Sequence, residues 1–160
     1  MERRQSLAAH PRLGQQRGRH GVGFIILTMN GGRAPLGQIS IGSWGNPFDT
    51  DYVFGNTPFP AGGEHDLTYV FNADASQERL YLDGALIGSG STHVDPSTAS
   101  YSNFYIGRSQ FLADPFYAGS INELRTYNTA LTGTQIAADR AAGPNVPLVS
   151  EPASACITAS

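Results

Sequence analysis

The sequence predicts an all-β fold of layered antiparallel strands closed by one short C-terminal helix, and three observations carry that expectation. Short β-branched and aromatic runs recur between Gly, Pro and Asn turn signals, the pattern of a β-sandwich. Among 160 residues there are 19 glycines and 10 prolines, too many breakers for a helical bundle. One segment alone carries both a helix start and a helix stop, and it lies near the C-terminus.

Taken in order, Phe24–Met29 reads as a β-branched strand stopped by Asn30-Gly31-Gly32. Gln38–Ile41 alternates polar and apolar before Gly42 and Gly45-Asn46-Pro47 break it, and Tyr52–Phe54 is a short strand ended by Gly55-Asn56. Pro58, Pro60 and Gly62-Gly63 mark a loop. In His65–Asn72, residues 65, 67, 69 and 71 share one face, because strand side chains alternate. Arg79–Leu82 and Ala85–Gly88 are separated by Asp83-Gly84 alone. That dipeptide supplies the two positive-φ positions of a type I′ turn, whose twist suits a two-residue hairpin. Phe104–Arg108 and Ser120–Tyr127 complete the predicted strands. Thr132-Gly133-Thr134-Gln135 fits a capping box, and Gly143-Pro144 ends the alanine-rich helix that follows.

Charge is unevenly distributed. Residues 1–20 hold five arginines and one acid, whereas the other 140 hold five arginines and twelve acids. The first twenty are polar and aperiodic and are expected to be a disordered basic leader; no aromatic residue interleaves with the arginines as single-strand binding would require. An acidic body argues against nucleic-acid binding by the folded part. The single cysteine, Cys156, permits neither a disulfide framework nor a cysteine zinc site. No apolar run approaches the ~18 residues of a membrane span, so membrane insertion is not expected. Residues 21–145 are read as the folded domain and 146–160 as a disordered tail.

The stretch from Asn103 to Asn145, NFYIGRSQFLADPFYAGSINELRTYNTALTGTQIAADRAAGPN, resembles the C-terminal half of the laminin-G-like, concanavalin-A-like jelly-roll family of bacterial extracellular proteins. Upstream, HDLTYVFNADASQERLYLDGALIGS is similar to that family's preceding hairpin. The resemblance implies a two-sheet antiparallel jelly-roll sandwich with one short C-terminal helix, N-terminally truncated or with Phe24–Met29 in place of its first strands. It further implies an extracellular or cell-envelope location, within or derived from a multidomain protein, and a glycan or extracellular protein as partner. One departure stands out: the family's Ile-Asp-Glu is Ile121-Asn122-Glu123 here.

Catalysis is not expected. Glycosidases of this architecture set two or three acids at alternate positions of one strand face. Glu64/Asp66 and Asp49/Asp51 have that spacing, but both pairs flank turns and neither has a third acid in step. No Gly-x-Ser-x-Gly elbow is present. A glycoside hydrolase fragment is therefore the weakest alternative, behind a structural adhesion or protein-interaction domain without a sugar site. Sugar recognition needs aromatic platforms beside hydrogen-bonding groups, because a sugar ring has apolar faces and a polar rim. Trp44 and Asn46, in Gly42-Ser43-Trp44-Gly45-Asn46, with Tyr101 and Phe116, are the candidate ligand-binding residues. A core role for Trp44 is the plainer alternative. Calcium wants several oxygen ligands from loops. Asp114, in an Asp-Pro turn, and Asn122, in the position of the family's acid, are the candidate metal residues. Glu123 and Arg125 share a strand face with Ile121 and Tyr127, and a structural ion pair is expected if that face is inward.

Overall fold

The computed structural model describes residues 24–29, 38–46, 49–92, 103–108 and 114–146, with backbone alone for 24, 38–46 and 49–51. The leader 1–20 and nearly all of the tail 146–160 lie outside these residues. The chain is mostly β with one helix: β1 (Phe24–Thr28), β2 (Gln38–Asn46), β3 (Asp49–Pro58), β4 (Leu67–Asn72), β5 (Gln77–Leu82), β6 (Ala85–Ser91) and α1 (Gly133–Ala142). Two three-stranded antiparallel sheets form in chain order, β1-β2-β3 and β4-β5-β6.

The second sheet is covered on both faces. On its inner face, Leu80, Leu82 and Ile87 pack with Val53 of β3, joined by Phe59, Leu67 and Tyr69. Its outer face carries Val70 and Tyr81, which pack against Leu131 and Ile136, with Tyr127 and Ala130 alongside. Each buried aliphatic or aromatic side chain contributes about 1.5–3 kcal/mol of hydrophobic stabilisation. Glu78 is fully buried on the inner face, where its Oε1 accepts a hydrogen bond from the Tyr69 hydroxyl at 2.9 Å. A carboxylate taken out of water needs such donors.

A register shift makes the fit between the sheets possible. Leu80 pairs with Gly88 and Tyr81 with Leu86, so Ile87 is an extra residue in β6. The bulge lets Ile87 join the inner cluster while Gly88 also faces β3. A Cβ at Gly88 would sit 2.4 Å from the Phe54 carbonyl oxygen. Only glycine admits that approach.

The predicted hairpin is present. Asp83 and Gly84 have φ of 51° and 80°, the two left-handed positions of the type I′ turn. The helix cap is also as read: the Gln135 N–H donates to Thr132 Oγ1, and the Thr132 N–H donates to Gln135 Oε1 at 2.8 Å. Thr132→Ala is therefore expected to cost about 0.5–2 kcal/mol in chemical denaturation. An unchanged midpoint would mean that the cap adds nothing beyond the packing of Ile136.

Three expectations are corrected. β2 runs through Gly42 and Gly45 to Asn46, and β3 runs through Gly55-Asn56 to Pro58. Cross-strand pairing outweighs the local cost of glycine there, and Gly55 is buried. Phe104–Arg108 and Ser120–Tyr127 are not strands. Residues 122–127 keep the alternating burial of a strand, with 123, 125 and 127 half-buried, but no described residue pairs with their backbone. The described residues thus make two three-stranded sheets, with neither of these two segments adding a strand.

Candidate ligand-binding site

Two polar clusters hold the C-terminal segment and α1 in place. In the first, Arg125 donates from Nε and Nη2 to the two Glu123 oxygens at 2.8 and 2.9 Å. Its Nη1 donates to Asp139 Oδ1 of α1, and Nη2 also donates to the Gly143 carbonyl at 3.0 Å. The Tyr127 hydroxyl donates to Asp139 Oδ2 at 2.8 Å. The Arg125 hydrogen bonds hold Glu123 below its ordinary pKa, and the same bonds push the guanidinium upward. Burial, then the hydrogen bond to Asp139, raises Tyr127. Glu123–Arg125 is thus a structural ion pair that clasps the helix.

The second cluster centres on Asp83. Its Oδ1 accepts from the Asp66 N–H at 3.0 Å and from Arg140 Nε of α1 at 3.1 Å, while Oδ2 faces His65 Nδ1 at 2.8 Å. His65 Nε2 faces the Gly62 carbonyl at 2.8 Å. Both ring nitrogens therefore meet acceptors, an arrangement satisfied only by imidazolium. The Asp83 hydrogen bond, then that of Gly62, raises His65 above its usual value. Burial works to raise Asp83, but the Asp66 N–H, His65 and Arg140 outweigh it, and the net shift is downward.

These shifts set a pH window. Folding favours protonated His65, so its contribution is complete below about pH 6.5 and fades as pH climbs through the higher folded value. Folding favours ionised Asp83, so its contribution is present above about pH 4 and is lost as pH falls through the lowered folded value. The gap in thermal midpoint between the native chain and His65→Gln is expected to be widest near pH 5 and to narrow above pH 7. A gap independent of pH would show that His65 is neutral throughout.

Away from these clusters, two segments form an exposed aromatic surface. The Tyr117 N–H donates to the Gly107 carbonyl at 2.8 Å, tying 103–108 to 114–118. Gly107, at φ 74°, makes the bend that a side chain would resist. The Arg108 guanidinium carbon then lies 4.7 Å from the Tyr105 ring centroid and 5.8 Å from that of Phe116. Such cation–π contacts are worth about 0.5–1 kcal/mol where exposed. Phe104 and Phe116 are 75% and 72% exposed, and Tyr105 and Ile106 are also open.

The residues singled out from sequence fare unequally. Phe116 belongs to this surface. Trp44 and Asn46 lie on β2, opposite Thr50 and Asp49 across a register shift; their side chains, like Tyr101 as a whole, are outside what is described. Asp114 is half-buried, with Oδ2 shielded and without a hydrogen-bond partner, whereas Asn122 is exposed. Among the described residues no three His, Cys, Asp or Glu gather as a metal site. Of the acid pairs, Asp66 Oδ1 accepts from Thr68 Oγ1 at 2.7 Å, and Glu64 lends only its carbonyl, to Arg140. The site residues not foreseen are Tyr105 and Arg108. Tyr-x-x-Arg beside an aromatic loop was the available signal, but it takes the fold to join positions 108 and 116.

The chain belongs to the concanavalin A-like lectin/glucanases superfamily, whose family model matches residues 4–137. That match starts inside the segment read as a leader and ends inside α1. Among solved structures, the chain is similar to residues 221–444 of an S-layer domain-containing protein from Clostridium thermocellum. The identity is 18% and the TM-score 0.43, covering 88% of this chain and 66% of the other, just under two thirds of its length. No curated protein matches the chain.

Proposed function

We propose that this chain is a non-catalytic carbohydrate-binding domain of an extracellular or cell-envelope multidomain protein, with its ligand surface at Tyr105, Arg108 and Phe116. The supporting observation is the guanidinium lying over two open rings. Aromatic faces stack on the apolar face of a sugar, and guanidinium donors meet its hydroxyl rim. Absence of catalysis is part of the proposal. It is supported by the engagement of Glu123 with Arg125 and of Asp66 with Thr68, which removes them from acid–base work.

Affinity electrophoresis or calorimetry over a polysaccharide panel tests this. Binding to at least one glycan is expected, weakened about tenfold by Phe116→Ala, which is about 1.4 kcal/mol. No binding across the panel, together with retention of an extracellular protein, would favour the adhesion alternative.

Calcium is a second proposal, favoured by one observation: Asp114 Oδ2 is shielded from water yet unbonded. A cation would offset that desolvation, with backbone carbonyls, water and the Asn122 amide as the proposed further ligands. Millimolar calcium over a ~10 μM site adds roughly 2.7 kcal/mol to stability. The thermal midpoint is expected to rise with calcium, fall with chelator and lose that response in Asp114→Asn. Indifference to both reagents would reduce Asp114-Pro115 to a turn.

A further inference from the structure

We infer that the ligand of the Tyr105–Arg108–Phe116 surface is an acidic saccharide, a uronate-bearing chain whose carboxylate pairs with Arg108 while the rings carry the sugar's apolar face; this rests on the carbohydrate reading above. A neutral sugar asks only for rings and scattered hydrogen-bond donors. This surface has something more specific: a permanent positive charge at the centre of the aromatic group, 4.7 Å from one ring centroid and 5.8 Å from the other. Guanidinium is planar and presents a rigid fork of N–H donors that matches a carboxylate in two parallel bonds. Stacking on rings restrains the long side chain before a ligand arrives, which lowers the ordering cost of binding. The tie from the Tyr117 N–H to the Gly107 carbonyl fixes the bend beside Arg108, so the fork and the Phe116 ring are held by a common backbone contact.

The overall charge makes this surface more telling. The chain carries a net charge of −3, so polyanions are not gathered by a general basic field. An acidic glycan retained by this protein must be held by local contacts. Arg108 is the described cation set among open aromatic rings. The other described arginines that hold acids, Arg125 and Arg140, are committed to Glu123 and Asp139 and to Asp83.

The experiment compares oligogalacturonate and oligomannuronate with their methyl esters, which keep the same rings and linkages but mask the carboxylate. Calorimetry on the full chain is expected to give at least tenfold tighter binding to one of the acids than to its ester. Arg108→Gln is expected to abolish that preference while leaving ester binding within twofold. Arg108→Lys should restore only part of it, because ammonium is a point charge without the fork. Phe116→Ala should weaken acid and ester alike. Thermal midpoints of all variants confirm folding; this exposed surface lies outside both clusters that hold the helix. Equal affinity for acid and ester, or an unaltered preference in Arg108→Gln, overturns the acidic-ligand inference and leaves the carbohydrate reading standing. Failure to bind acids, esters and the neutral panel overturns both.

Discussion

Gly84→Val is expected to lower the stability of the fold by about 3–5 kcal/mol, the sum of two separate penalties. The first is conformational. Gly84 holds φ at 80°, a region where a β-branched side chain is strained by about 1–3 kcal/mol. The second is steric. A Cβ at this position would lie 3.2 Å from Ala137 Cα and 3.6 Å from Arg140 Cβ, so the added methyls meet the body of α1. Overpacking of this kind costs about 1–3 kcal/mol. Gly84→Asn separates the two, since Asn tolerates the left-handed region but still carries the Cβ. It should fall between the native chain and Gly84→Val in urea denaturation. If the midpoint of Gly84→Val were unchanged, neither the turn geometry nor its contact with the helix would be right.

Arg125→Met is expected to cost about 2–4 kcal/mol, somewhat below the full penalty for breaking a buried ion pair. The discount reflects exposure: the side chains of Arg125, Glu123 and Asp139 remain 20%, 27% and 14% open, so water screens part of the loss. Methionine keeps much of the aliphatic stem and so isolates the polar contribution. Without the guanidinium, Glu123 and Asp139 lose their shared cation, and the Gly143 carbonyl at the helix end loses a donor. A double-mutant cycle with Asp139→Asn should show coupling above about 0.5 kcal/mol. Simple additivity would mean that the contact contributes nothing to holding the helix.

The parts of this molecule readable from sequence are those whose chemistry is local. Asp83-Gly84 declares its turn because two successive positive-φ residues exclude almost everything else, and Thr132 and Gln135 declare a helix start through their own side chains. The strand ends at β2 and β3 were misread because Gly42, Gly45 and Gly55 are breakers only when nothing pairs with them. Ser120–Tyr127 errs in the opposite sense. Its alternation is real, and it turns Glu123, Arg125 and Tyr127 toward α1, but a ladder requires a second segment that no local pattern supplies. The same limit governs the site. Phe116 is visible as a loop aromatic, whereas the contact of Arg108 with two rings exists only once 103–108 and 114–118 are joined. The bonds that Asp83 makes with His65 and Arg140 are likewise invisible locally, since the partners lie 18 and 57 positions away.

Helix α1 covers Val70 and Tyr81, which gives it a bearing on how a parent protein divides into independently folding pieces. A fragment that stops short of Gly133 removes Ile136 from the cluster on the outer face of the second sheet. It also removes Arg140 from Asp83 and Asp139 from Arg125. Such a piece would present a fresh apolar patch bordered by unsatisfied charges, the kind of surface that associates rather than stays dispersed. One that continues through Gly143 keeps the patch covered and retains the carbonyl that Arg125 binds. Protease trimming of the intact chain should therefore come to rest beyond Gly143, and the last turn of the helix marks the working boundary of the domain.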